Sequence, residues 1–162
     1  MPNVPRKSAT TAGRGQAMKI RLALLADYAN VTTDGKLNIL GIFDRIHVVR
    51  LPAVHPQMQF VTRLEAHPAE VGREHVIEIK LHDPDGKTVF EIKGDVMLHA
   101  RGPGETVFAN QIVTINNLQL PKVGGYTFVV FVDNDLKTEV PLAVEEAPAG
   151  RQEAAGGRGT LH

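Results

Sequence analysis

Residues 125–144, GYTFVVFVDNDLKTEVPLAV, decide the fold class of this chain. Two runs rich in β-branched and aromatic side chains flank Asp133 and Asn134, and residues of that kind form the tight turns of β-hairpins. From Leu136 to Val144, apolar and polar side chains alternate. A period of two residues is typical of a strand with one buried face. The stretch therefore predicts a hairpin and an all-β fold.

The same period recurs through the body of the chain at short intervals, which is typical of a sandwich or barrel. Turn-forming sequences separate the runs, as at 83–86, where proline sets φ and glycine supplies a positive φ. No segment shows a 3.6-residue period over ten or more residues. We therefore expect a two-sheet antiparallel sandwich of about eight strands. Besides the hairpin, strands are expected near residues 20–27, 36–48, 57–65, 73–82 and 105–116. A further strand is expected after the 83–86 turn, and it runs to about residue 99.

Glycine and proline indicate irregular places in this pattern. Gly41 lies in a run that is apolar on both faces, where glycine indicates a bulge that shifts the in/out phase. Pro52 and Pro56 are expected to bound a loop. Pro141 has no N–H to donate to a ladder, so the last strand is predicted to be an edge.

Tyr126 narrows the topology. It follows two glycines and precedes Phe128 by two residues, as in the tyrosine corner of immunoglobulin-like domains. Phe128 then occupies the place of the second cysteine of an antibody domain. The interpretation is an immunoglobulin-like Greek key without a disulfide. The alternative is that Tyr126 is an ordinary strand aromatic.

Composition divides the chain into a body and two tails. Residues 1–17 carry three basic and no acidic side chains, and 147–162 are similarly rich in Gly and Ala. Neither can bury enough apolar surface to offset the entropy of ordering, so we expect both to be disordered. Residues 18–146 form one domain with 13 basic and 17 acidic side chains. A mildly acidic body is unsuited to phosphate backbones, so no nucleic-acid partner is expected.

Met18 begins a stretch with two interpretations, a signal peptide or a first strand after an alternative translation start. The apolar run from Leu22 to Ala26 is shorter than the roughly 7–15 residues of a signal h-region, which favours the strand. No run approaches the ~20 apolar residues of a membrane helix. We expect a cytoplasmic protein without a membrane partner, whose native start is Met18.

Missing side chains argue against catalysis. The chain has no cysteine, and its one serine is Ser8 in the N-terminal tail. Ser–His and Cys–His nucleophiles are thereby excluded from the body, as are cysteine-ligated metals. A threonine or carboxylate mechanism stays open, but no motif marks a carboxylate pair. We expect no enzymatic activity and no cofactor.

Asp34, Asp133 and Asp135 are weak metal candidates. All three lie in predicted turns, and if strands alternate in direction their turns share one end of the sandwich, away from Asp83 and Asp85. Calcium takes six to eight oxygen ligands, and three carboxylates supply few of them. Aspartate is also a favoured turn residue, because its side chain bonds the local backbone. The turn interpretation is therefore preferred.

The strand that contains Tyr126 is apolar on both faces. Val129 and Phe131 form its second face, which must be covered by the chain itself, a second copy or a partner. An edge strand beside it could accept a partner strand. We therefore predict a non-enzymatic protein-interaction or assembly module that self-associates. The alternative is a sandwich that binds a metal or small ligand through its acidic loops.

Two stretches resemble an uncharacterised bacterial family of small β-sandwich proteins. They are Ala26–Asn30 followed by Gly35–Ile46, and the closing pattern Tyr-x-Phe-x-Val-x-Val-Asp at 126–133. The resemblance spans about residues 18–145. It implies the sandwich fold, and because the family has no assigned function, it implies no catalytic or binding residues.

Overall fold

A computed structural model describes residues 18–148, which form nine β-strands in two packed sheets. The expected disorder of 1–17 and of most of 147–162, and the expected start at Met18, concern residues outside this range. No helix in the described part of the chain is long and apolar enough to cross a membrane. The strands are β1 (Lys19–Val31), β2 (Leu37–Phe43), β3 (Arg45–Val48), β4 (Ala53–Ala66), β5 (Glu74–His82), β6 (Thr88–Met97), β7 (Val107–Leu120), β8 (Gly124–Val132) and β9 (Asp135–Glu146), with a 3₁₀ turn at Pro68–Glu70.

The strand order confirms the predicted immunoglobulin-like sandwich. The first sheet has the order β2-β1-β4-β7 and the second the order β3-β9-β8-β5-β6. Within residues 18–148 the chain crosses between the sheets five times, from β2 to β3, β3 to β4, β4 to β5, β6 to β7 and β7 to β8. All pairs are antiparallel except β3 with β9, which is parallel.

The single strand predicted at 36–48 is two strands. β2 ends at Phe43 and β3 begins at Arg45, and the two belong to different sheets. Asp44 alone lies between them, and its carbonyl accepts the Ala143 N–H at 2.8 Å. Within β2, Leu40 and Ile42 are exposed, so the second apolar face of this run does not pack in the core. The strand count therefore rises from eight to nine.

The bulge predicted at Gly41 does not occur. Ala26 pairs with Ile42 and Tyr28 with Leu40, so the register is the same on both sides of the glycine. Gly41 has a φ of +69°, and a Cβ there would overlap the carboxylate of Asp27. A left-handed backbone and a close neighbour, rather than an inserted residue, require glycine here.

Two prolines lie where a strand has a neighbour on one side only. β9 is not the predicted edge strand, because Ala143–Glu146 pairs with β3. Pro141 precedes that pairing, in the part of β9 that has β8 alone as a neighbour. Pro56 lies inside β4 rather than in a loop. The pairing of β4 with β1 ends at Gln59, so β4 has no β1 partner at Pro56. A missing N–H costs no ladder bond on an open side.

Tyr126 forms the predicted tyrosine corner. The side chain is fully buried, and its hydroxyl donates to the carbonyl of Lys122 at 2.8 Å. Two residues later, Phe128 packs on Phe60 of the other sheet with 4.9 Å between ring centroids. This aromatic pair joins the sheets where antibody domains have a disulfide.

The β1–β2 hairpin folds back over the outer face of the first sheet. Ala29 N–H donates to Oε1 of Gln59, and Asn110 Nδ2 lies 3.5 Å from the carbonyl of Gly35. In a flat sheet the hairpin tip would be about 30 Å from Asn110, at roughly 3.3 Å per residue. The hairpin therefore covers this face, and Val61 on the outer side of β4 has no exposed surface.

Candidate functional site

The three aspartates predicted as weak metal candidates do not form a site. Asp34 lies at the tip of the β1–β2 hairpin, which rests on the first sheet, whereas Asp133 lies in the β8–β9 turn of the second sheet and Asp135 begins β9. Within residues 18–148, no group of three or more His, Asp or Glu side chains is arranged to hold a metal. The expectation that these turns share one end is wrong, because the additional strand β3 reverses the direction of the later strands, so that β1 and β8 run in opposite directions.

Asp34 and Asp135 are bound by neighbouring side chains. Asp34 accepts from the Thr32 hydroxyl and forms an ion pair with Lys36, with 2.7 Å between Nζ and Oδ2. The hydrogen bonds from Lys36 and Thr32 lower the pKa of Asp34. Asp135 accepts from Nζ of Lys137 at 2.8 Å. Both carboxylates thus act inside their own turns.

Asp133 stabilises the β8–β9 turn. Asp133 and Asn134 have φ values of +51° and +65°, and positive φ at both central residues is the type I′ geometry of tight hairpins. Oδ1 of Asp133 accepts the Val76 N–H at 2.9 Å. Oδ2 lies 2.7 Å from Nδ1 of His75. Both carboxylate oxygens therefore bind β5.

His75 is a buried histidine with both ring nitrogens bonded. Its exposed fraction is 1%, and Nε2 lies 2.9 Å from the carbonyl oxygen of Glu70. The carbonyl and the Asp133 carboxylate both accept, so both ring nitrogens must donate. Burial acts to lower the pKa of His75, but the bonds to Asp133 and Glu70 raise it overall. With both nitrogens bonded and the ring enclosed, His75 cannot serve as a general base.

The 83–86 turn is also structural. Oδ1 of Asp83 accepts the N–H groups of Asp85 and Lys87, both at 2.9 Å. Burial opposes ionisation of Asp83, but these bonds and Lys122 keep its pKa lowered. Lys122 also forms an ion pair with Asp85. This is the aspartate turn chemistry that the sequence indicated.

The chain itself covers the second apolar face of β8. β8 lies between β5 and β9, and Val129 is only 5% exposed. The Phe131 ring is partly buried, with Nζ of Lys80 5.8 Å from its centroid. Long Lys stems cover apolar surface while the charge stays in water. The surface predicted for docking on this strand is therefore not an open apolar patch.

An open apolar surface lies on the outward face of the β1–β2 hairpin. Tyr28, Leu40 and Ile42 are 50%, 62% and 63% exposed, and we call these three residues the hairpin patch. Tyr28 pairs directly with Leu40, and Ile42 follows on the same face of β2. Asn38 donates to Asn30 at 3.0 Å beside them. Polar side chains thus border a contiguous apolar centre.

β2 is an edge strand without the usual protection. Among residues 18–148 it pairs only with β1, so within that range one side presents N–H and C=O groups without a strand partner. Residues 37–43, LNILGIF, contain no charge and no proline, the residues that commonly protect edges. A groove of about 370 Å³ beside Ile42 continues the apolar surface to Val140 and Pro141. The two-sided apolar run was the sequence signal for this surface, but it was assigned to a bulge.

Solved structures similar to this chain share low sequence identity with it. An immunoglobulin-like protein from Pseudomonas aeruginosa has a TM-score of 0.41 at 14% identity, with 82% of this chain and all of that chain covered. The DNA glycosylase AlkC from Pseudomonas fluorescens, bound to DNA with an abasic site analogue, has a TM-score of 0.44 at 11% identity. A family 2 glycosyl hydrolase from Bacteroides cellulosilyticus has a TM-score of 0.42 at 12% identity.

Most of these proteins are much longer than this chain. The match covers 79% of this chain in both cases, but 30% of the DNA glycosylase and 15% of the glycosyl hydrolase. Among curated proteins, no sequence matches the chain. One family model matches residues 21–145, from near the start of β1 to the last but one residue of β9. Since that match spans most of the sequence, the chain belongs to DUF6941, a family of unknown function.

Proposed function

We propose that this domain is a non-enzymatic assembly module that pairs with a second copy of itself through β2. One observation carries the proposal: an uncharged edge strand bears the most exposed pair of large apolar side chains on any strand, Leu40 and Ile42. An apolar edge of this kind is an aggregation site unless another strand pairs with it. The lack of cysteine supports a cytoplasmic setting.

Charge complementarity favours a second copy over another partner. If two β2 strands pair antiparallel about a two-fold axis at Leu40, residue 36 of one copy lies opposite residue 44 of the other. These residues are Lys36 and Asp44, so the pairing places opposite charges at both ends of the joined strands. The register also brings the two hairpin patches together on one face. A single register therefore pairs the backbone groups of the two edges, brings the apolar patches together and places opposite charges opposite one another.

An enzymatic role has less support. His75, the most enclosed titratable side chain, has both ring nitrogens bonded, and the paired aspartates serve turns. A metal-binding role through Asp34, Asp133 and Asp135 has no support from their placement. A small-ligand role remains the alternative, at a different part of the surface.

Sedimentation of the full chain over a range of concentrations tests the assembly. We expect the wild type to form a dimer and Leu40→Glu to remain a monomer. Residue 40 lies on the two-fold axis, so the variant would place two glutamates opposite one another. Leu136→Glu is the matched control, since Leu136 is 47% exposed on the other sheet. It should leave the dimer intact. A wild type that stays monomeric at every concentration would remove the proposal.

A charge exchange tests the register. Lys36→Glu and Asp44→Lys should each weaken the dimer, because each places like charges opposite one another. The double variant restores opposite charges and should recover the wild-type association. If the double variant does not recover while Leu40→Glu is still monomeric, the dimer forms through β2 but not in this register.

A further inference from the structure

A second concave surface lies at the connection from β3 to β4, away from the hairpin patch. It is a cleft of about 460 Å³, within the range of roughly 300–1,000 Å³ found for small-molecule sites. Its titratable side chains are His47, Arg50 and His55, and none of the described residues that line it is acidic. The other lining residues are apolar: Ile46, Val48, Val49, Pro52, Ala53, Val54, Pro56 and Leu120.

His55 lines this cleft and has a ring nitrogen without a hydrogen-bond partner among residues 18–148. Its ring lies beside Phe43, with 6.0 Å between the ring centroids. Nε2 is buried and has no hydrogen-bond partner within the described residues. Buried polar atoms in proteins are nearly always hydrogen-bonded, and an unpaired one has a free-energy cost. A ligand that bonds to Nε2 would remove that cost.

Arg50 supplies a fixed positive charge at the same cleft. A guanidinium presents paired N–H donors that match the two oxygens of a carboxylate or phosphate. The carboxylate of Glu145, which pairs in register with His47, is 3.5 Å from Arg45 and is therefore directed to a different guanidinium. The lining thus combines positive charge, an unpaired donor or acceptor, and an apolar wall.

We propose that this cleft binds a small organic anion, with Arg50 and His55 holding its acidic group and the apolar wall taking its hydrocarbon part. The site does not depend on β2 pairing, because none of the hairpin patch residues lines the cleft. Monomeric and dimeric forms are both expected to bind. The failure of one proposal therefore leaves the other standing.

NMR titration of the full chain tests the site with three probes of defined chemistry. Hexanoate carries a carboxylate and a hydrocarbon chain, inorganic phosphate carries charge alone, and 1-hexanol carries the chain alone. We expect hexanoate to give saturable shifts in the amides of residues 46–56 and in the His55 ring. Phosphate and hexanol should bind more weakly. Equal affinity for hexanoate and either of the other probes would overturn the proposal, as would the absence of saturable shifts.

Variants assign the binding to the two side chains. Arg50→Gln should weaken hexanoate binding about tenfold, the worth of one charge-assisted hydrogen bond. His55→Phe keeps an aromatic ring beside Phe43 but removes Nε2, and it should also weaken binding. Arg63→Gln is the control, because that guanidinium stacks on Phe108 outside the cleft. Equal loss in the control, or no loss in Arg50→Gln, would contradict the assignment.

Discussion

Nδ1 of His75 lies 2.7 Å from Oδ2 of Asp133, and this ion pair binds the β8–β9 turn to the beginning of β5. On the opposite side of the ring, Nε2 lies 2.9 Å from the carbonyl of Glu70 and 3.6 Å from its carboxylate. Glu70 in turn lies 3.5 Å from Arg73. One buried ring therefore joins the 3₁₀ turn, β5 and the last hairpin.

The His75–Asp133 pair predicts a stability that depends on pH. The pKa of His75 is raised on folding, so its contribution is complete below about pH 6.5 and is lost as pH rises through the folded-state pKa. The pKa of Asp133 is lowered despite burial, so its contribution is present above about pH 4 and is lost as pH falls through the folded-state pKa. The pair should stabilise most between these limits.

Urea unfolding of the wild type and Asp133→Asn across this pH range measures the effect. At mildly acidic pH the variant should lose about 1–3 kcal/mol, the range for a hydrogen bond to a charged group. Water around the half-exposed Asp133 side chain favours the lower end. Above pH 6.5 the difference should shrink. A difference that is constant with pH would contradict a protonated His75.

Replacing Gly41 should destabilise the hairpin for two separable reasons. In Gly41→Ala, an L-residue with a φ of +69° costs about 1–2 kcal/mol, and the added Cβ meets the Asp27 carboxylate. The double variant with Asp27→Ala removes the carboxylate, leaving Cβ of residue 27 at 3.1 Å from the added Cβ, and keeps the backbone cost. Denaturant unfolding should therefore show partial recovery in the double variant. Full recovery would mean that the backbone conformation contributes nothing.

Removing the hydroxyl of Tyr126 should measure what the hydrogen bond of the tyrosine corner contributes to stability. Tyr126→Phe leaves the partly buried carbonyl of Lys122 without its donor, and we expect a loss of about 1–3 kcal/mol in the free energy of unfolding. Tyr28→Phe is the matched control, because Tyr28 is half exposed. It should change stability by less than about 0.5 kcal/mol. Equal effects of the two variants would contradict the structural role of the corner.

Calcium should leave the melting temperature unchanged. Ligands that bind only the folded state raise it by mass action, and Asp34, Asp133 and Asp135 belong to separate turns with partners of their own. A thermal melt with and without millimolar calcium checks this. An increase that disappears in Asp133→Ala with Asp135→Ala would establish a metal site there.

Local chemistry explains what the sequence predicted correctly. Asp133 and Asn134 suit a type I′ turn, and Tyr126 bonds four residues back, so both features are contained in short segments. The division at Asp44 was missed because it depends on which sheet each half joins. The hairpin fold-back was missed for the same reason, since it depends on Asn110, far along the chain from Gly35.

Long-range pairing also limited the prediction of the candidate site. His75 has no chemical partner nearby in sequence except Glu70, and Asp133 is 58 residues away. The alternation in β8 correctly marked Val129 and Phe131 as a second apolar face. It could not show that Lys80, from a neighbouring strand, extends over that face. Which apolar face stays open is decided by side chains from other strands.

Asp44, the one residue between β2 and β3, gives the sandwich a mechanical property. The strands on its two sides belong to opposite sheets, so a single residue connects the two sheets. An extended chain spans only about 3.5 Å per residue, so this connection is short. With both strands paired, the sheets cannot slide past one another by more than a few ångströms. A pulling force on an assembly built through β2 would pass directly into the second sheet through this link, and would load both halves of the domain at once.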